Sequence, residues 1–256
     1  ISSTDVSCYG GCNGTAEVGV GNGTPPYAFS WSPSSGITAL VTGLCAGLND
    51  VVIYDANVCQ INNGVVINEP LGLAASISGT TISCYGGSDG EITVSVNGGS
   101  PPYSYLWLPS GSGSTISNLS AGTYTVVITD FNGCDTNQAM TLINPPLLDA
   151  NGGSTPSSCG HANGVAYINP SGGSFPYTYE WFDGTGMAIS QSTGTATGLV
   201  KGSYDCVVTD VNGCTFTLPI VVNDNVGPTV SFESAVDVLC YGTFSGEATV
   251  DVTGNF

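Results

Sequence analysis

Arginine is absent from this sequence, Lys201 is its single lysine, and His161 is its single histidine. Against 19 acidic residues, this leaves a formal net charge of -18. Nucleic-acid binding is excluded, because lysine and arginine must neutralise the phosphates. An anionic membrane surface repels such a chain too. Long apolar runs are also missing. None approaches the roughly 18 residues of a membrane helix, so direct membrane insertion is not expected. No signal-peptide pattern is present, and the chain is expected to be a mature, exported segment. No apolar 3.6-residue period is sustained, so no helix is predicted. No Cys-x-x-Cys pair occurs, and one histidine does not serve repeated zinc sites. Charged residues make up only 8% and hydrophobic ones 41%, which argues against disorder.

What the chain has is repetition. Cysteines recur at Cys8, Cys84, Cys159 and Cys240, at spacings of 76, 75 and 81 residues. Each period suits one small module, with a core small enough to call for covalent staples. The expected modules are 1-70, 71-145 and 146-227, with the start of a fourth at 228-256. Ile1 corresponds to Ile77, so the first module is expected to lack its leading strand and both ends to fall inside modules of a longer array. Ten cysteines at module intervals point to an oxidising compartment and to disulfides.

The most regular copy runs from Cys84 to Cys134. Cys84-Tyr85-Gly86-Gly87 opens it. Ile92, Val94 and Val96 then alternate with polar residues, as do Tyr103, Tyr105 and Trp107 after Pro101-Pro102, and Tyr124, Val126 and Ile128. Period-2 alternation with turn residues every 8 to 12 positions predicts six or seven short antiparallel strands per module. The fold class is therefore all-β: tandem immunoglobulin-like antiparallel β-sandwich modules, disulfide-clamped, in an elongated array. Trp31, Trp107 and Trp181 are expected to fill the cores. Leu119 to Tyr124 resembles a tyrosine corner, and Tyr204 repeats it. Asn49 stands at that position in module 1, where the corner is expected to be missing or altered.

Opening and closing cysteines lie 51, 50 and 55 residues apart, so pairing within each module is expected: Cys8 with Cys59, Cys84 with Cys134, and Cys159 with Cys214. Cys12 and Cys45 form a further expected bridge. The partner of Cys240 is expected beyond Phe256. Cys206 falls on an inward face and is expected to be a buried free thiol. No cofactor is expected. Recurring Asp55, Asp130 and Asp210 are candidates for calcium, although Asp-x-Asn-Gly is also what a tight turn requires. Asn13, Asn22 and Asn118 begin Asn-x-Ser/Thr sequons and are glycosylation candidates. Catalysis is not expected. His161 is predicted on a solvated loop, and Glu17, Glu91 and Glu247 on outward strand faces.

The combined order resembles the SprB-type repeat of giant surface adhesins in gliding bacteria. The matching residues are Cys84-Tyr85-Gly86, Asp89-Gly90, Gly98 to Tyr103, Trp107, Ala121 to Tyr124 and Thr129 to Cys134. The resemblance implies an extracellular location at a bacterial cell surface, as stalk or spacer modules of a very long secreted adhesin used in attachment or gliding. A self-assembling filament or sheath is the alternative. Carbohydrate binding, with Tyr9, Tyr85 and Tyr241 as a platform, is a weaker one. Implied partners are neighbouring modules, copies of the chain itself, or surface glycans.

Overall fold

The computed structural model describes residues 1-236 and 247-253, and every regular element among them is a strand. The chain forms two compact units. One holds Ile1–Ile82 and Gly87–Ile143; the other holds Ser83–Gly86 and the residues from Asn144 onward.

The first unit contains two sandwiches. Repeat 1 comprises β1 (Ser2–Thr4), β2 (Gly14–Glu17), β3 (Ala28–Ser32), β4 (Leu40–Leu44), β5 (Gly47–Tyr54) and β6 (Gln60–Ile67). Repeat 2 comprises β7 (Ala74–Gly79), β8 (Gly90–Asn97), β9 (Ser104–Leu108), β10 (Thr115–Leu119), β11 (Gly122–Thr129) and β12 (Asp135–Leu142). In both, strands one, two and four form one antiparallel sheet, and strands three, five and six form the other, so the leading strand expected to be missing from module 1 is present in short form as β1. That division matches the A-B-E and C-F-G sheets of an immunoglobulin-like sandwich.

The alternation explains the layering. On β8, Ile92 and Val94 are buried while Glu91 and Ser95 face out. Across the core, Val126 and Ile128 of β11 are fully buried. Trp107 on β9 fills the space between the sheets, and its indole N–H donates to Gly113 O at 2.9 Å. Trp31 and Trp181 repeat this, donating to Thr38 O and Thr193 O. Truncating one of these rings to alanine costs about 3–5 kcal/mol. The sheet edges are tied as well, because the Gln138 amide donates to Ala75 O at 2.9 Å.

The second unit contains repeat 3: β13 (Asp149–Thr155), β14 (Ser157–Ser158), β15 (Gly164–Ser171), β16 (Thr178–Asp183), β17 (Ala188–Ile189), β18 (Thr195–Leu199), β19 (Gly202–Thr209), β20 (Thr215–Val222) and β21 (Asp224–Asn225). The loop around Met187 adds β17 to the edge of β16, with Ile189 opposite Trp181. Asp183 holds that loop by accepting from the Thr185 and Met187 N–H groups. β22 (Thr229–Val236) and β23 (Glu247–Thr253) pair antiparallel.

Each repeat has its own core. The clusters are built around Trp31, Trp107 and Trp181, within Val6 to Ile67, Ile82 to Leu142 and Leu148 to Val222 respectively.

Candidate functional site

The features that recur with fixed chemistry are two loops per repeat. The closing loop joins the last two strands. In repeat 2, Asp130 Oδ1 accepts from the Asn132 and Cys134 N–H groups, each at 2.9 Å, and its Oδ2 accepts from Ser100 N–H at 2.9 Å. Asp55 and Asp210 make the same three bonds, to Asn57, Cys59 and Thr24 and to Asn212, Cys214 and Ser174. Gly133 and Gly213 complete the turn with φ of 84° and 85°, a region where glycine carries no steric penalty.

Burial raises the Asp130 pKa, but the N–H groups of Ser100, Cys134, Asn132 and Gly133 outweigh it and hold the carboxyl below its ordinary value. For Asp55, the N–H groups of Cys59 and Thr24 lower it. These three calcium candidates therefore spend carboxylate oxygens on their own turns. Among the described residues, no cluster of three or more His, Cys, Asp or Glu side chains is placed to hold a metal.

The opening loop lies where the chain leaves the repeat. Val6 N–H donates to Asn68 O at 3.1 Å, and Gly10 N–H to Glu69 Oε2 at 2.8 Å. Gly86 N–H donates to Asn144 Oδ1 at 3.0 Å, and Gly160 N–H to the Asp224 carboxylate at 3.2 Å. Asn13 braces the loop from below: its Oδ1 accepts from Ser7 N–H and its Nδ2 donates to Ser7 Oγ. Asn163 does the same with Ser158.

These positions overturn the expected cysteine pairing. Among the described residues the disulfides are Cys8–Cys134, Cys84–Cys214 and Cys12–Cys45. The opening cysteine of one repeat thus bonds to the closing cysteine of the next, twice over. Cys59 and Cys159, expected in disulfides, are free and exposed. The reason lies in the strand count. In repeat 1 the opening loop packs against the exit at Asn68 and Glu69, while Cys59 sits with Asp55 and Thr24 at the other end of the strands. An opening loop therefore meets the following repeat's closing loop. Asn132 Nδ2 donates to Ser7 O at 3.1 Å beside Cys8–Cys134, and Asn212 Nδ2 donates to Ser83 O at 3.2 Å beside Cys84–Cys214.

Cys206 is buried on β19, where desolvation pushes its thiol up to about 12. Cys240 and Tyr241 lie outside the described residues. The tyrosine corners are formed by Tyr124, whose hydroxyl donates to Ser120 O at 2.9 Å, and by Tyr204, donating to Val200 O at 3.0 Å. The corner expected to be missing or altered in repeat 1 is rebuilt. Asn49 is buried and its amide donates to Cys45 O, four residues upstream as in the other two, at 3.2 Å. Cys12–Cys45 ties the same turn.

Of the remaining candidates, His161, Glu17, Glu91 and Glu247 are exposed, as are Tyr9 and Tyr85. Asn22 and Asn118 are exposed and occupy left-handed φ of 65° and 58°, which asparagine tolerates. The packing of the linker residues Leu73, over Gly99, and Leu148, over Gly173, was not foreseen from the sequence. The signal for them was their fixed position a few residues after the joint prolines Pro70, Pro145 and Pro146.

The SprB repeat family matches residues 1-36, 79-112 and 151-186. The family's model thus recurs three times along the chain, once in each repeat. The matched segments hold the opening loops and aromatic strands, and this points to an adhesin-type repeat of the cell surface. No curated protein matches the chain. Among solved structures it is similar to the N-terminal eight immunoglobulin domains of Down Syndrome Cell Adhesion Molecule, isoform 1.30.30. That match has a TM-score of 0.37 and 13% identity, and covers 77% of this chain and 32% of that one. Sidekick-1 immunoglobulin domains 1-5 match with a TM-score of 0.32 and 11% identity, over 78% of this chain and 52% of that one. The chain thus spans about a third to a half of these proteins' lengths. The fold assignment rests on strand order and the tyrosine corner rather than on these likenesses.

Proposed function

We propose that these SprB repeats are non-catalytic spacer modules in the stalk of a long secreted adhesin, holding another part of the protein away from a bacterial surface. Residues 1-70, 71-145 and 146-227 act as successive modules, and 228-256 begins another. Neighbouring modules are the principal partners.

The observation that carries this reading is the repeated bond from an opening loop to the next closing loop, at Cys8–Cys134 and Cys84–Cys214. A stalk must transmit force without unravelling. Under tension the shortest covalent route runs from Ile1 to Cys8, across to Cys134, back to Cys84, across to Cys214 and on. That route is roughly two-fifths of the chain's contour, so the bridges limit how far it can be drawn out.

Small-angle scattering with light scattering tests the reading. The purified chain is expected to stay monomeric and elongated at neutral pH. Spontaneous fibres would favour the filament or sheath alternative, and a compact monomer would contradict the spacer role.

A further inference from the structure

Repeats 2 and 3 each carry their preceding linker on one end face, with matching contacts. In repeat 2, Gly99 N–H donates to Leu71 O at 2.8 Å, and Leu73 lies over Gly99 beside Asp130. In repeat 3, Gly173 N–H donates to Pro146 O at 3.1 Å, and Leu148 lies over Gly173 beside Asp210. The cysteine adjoining each face, Cys134 or Cys214, is bonded to an opening loop.

Repeat 1 presents the same face as an open pocket of about 170 Å³, lined by Val20, Gly23, Tyr27, Ile53, Asp55 and Cys59. Cys59 there is an exposed free thiol. Two independent features, a pocket at the position a linker leucine covers elsewhere and a thiol at the position of a bonded cysteine, thus specify one kind of occupant.

We infer that this face of repeat 1 is a docking site for the exit end of another repeat of the same kind. The occupant's leucine-bearing linker covers the pocket, and its opening-loop cysteine bonds to Cys59. Repeat 3 shows the complementary end. Its opening loop, with free Cys159, is already braced to the exit segment by Gly160 N–H on Asp224 and by Cys159 N–H on Asn225 O at 3.0 Å. Cys159 accordingly takes the closing-loop cysteine of a further repeat. The two ends form a heterologous, head-to-tail pair. Each bond forms by thiol–disulfide exchange. The two thiols give up two electrons and two protons to a disulfide oxidant, which leaves as two thiols.

On the linker side of this face, repeat 1 differs at one glycine position. Asn22 stands where repeats 2 and 3 have Gly98 and Gly172, and a Cβ at those glycines would lie 2.0 and 1.9 Å from the linker carbonyl oxygen. The linker docking on repeat 1 must therefore stand further from the backbone, and the disulfide carries more of the attachment.

The inference rests on the tandem-spacer reading but fails separately from it, because it concerns the partners of two cysteines and not particle shape. Protein taken from its native surface is alkylated without reduction, digested and mapped. Cys59 is expected in a disulfide with an opening-loop peptide of another repeat, and Cys159 with an Asn-Gly-Cys closing-loop peptide. In a Cys59→Ser variant, alkylation is expected to uncover one new opening-loop thiol while Cys8–Cys134 persists. Cys59 recovered as a free thiol, capped by a small thiol, or bonded to Cys206 would overturn the inference.

Discussion

Asp210 illustrates how one side chain fixes a turn. Three backbone N–H groups, from Ser174, Asn212 and Cys214, converge on a carboxylate that is 5% exposed. Asp210→Ala leaves those donors without their acceptor and is expected to cost about 2–4 kcal/mol in urea unfolding of the disulfide-intact chain. The same architecture sets a pH limit through Asp55 and Asp130, whose folded pKa values lie below the ordinary one. Their contribution is complete above the unfolded value of about 3.9 and is lost as pH falls through the folded value. The melting temperature should therefore hold from about pH 8 to 5 and fall below about pH 4. A decline already between pH 7 and 5 would contradict this assignment. The Asp-x-Asn-Gly runs were legible as turns in the sequence. What it left open was calcium against hydrogen bonding, because an oxygen-rich turn serves either.

At the scale of elements, the sandwich was written in the alternation. Ile92, Val94, Val126 and Ile128 are inward in sequence pattern and in structure alike. The corner before the fifth strand was legible only where tyrosine spelled it out. Asn49 hid it in repeat 1, where an amide on the i−4 carbonyl takes the place of the tyrosine hydroxyl, beside the Cys12–Cys45 bridge. Tyr204→Phe removes one part-buried hydrogen bond while keeping the ring, and is expected to lower stability by about 1 kcal/mol by denaturant titration. A loss of 3 kcal/mol or more would mean that the hydroxyl does more than close this corner. The edge strand β17 was not legible, because its two residues belong to a short apolar run, Met187 to Ile189, too brief to show alternation.

For the whole molecule, the cysteine partners were the feature that periodicity did not decide. Any set of equally spaced opening and closing cysteines fits pairing within a repeat and pairing with the next repeat alike. Loop-closure entropy does not separate them either: lengthening the loop from 51 to 126 residues costs only about 0.8 kcal/mol. What decides is which loops share an end of the strands, and that is a property of the folded sandwich. Each long bridge then removes roughly 5 kcal/mol of chain entropy from the unfolded state in the loop model. The bridges therefore stabilise the junction between sequence repeats rather than the interior of either one.

The most direct measurement is a disulfide map of the purified 256-residue chain, digested without reduction. Cys84 linked to Cys214 and Cys8 linked to Cys134 are the expected products. Recovery of Cys84 linked to Cys134 would contradict this pairing.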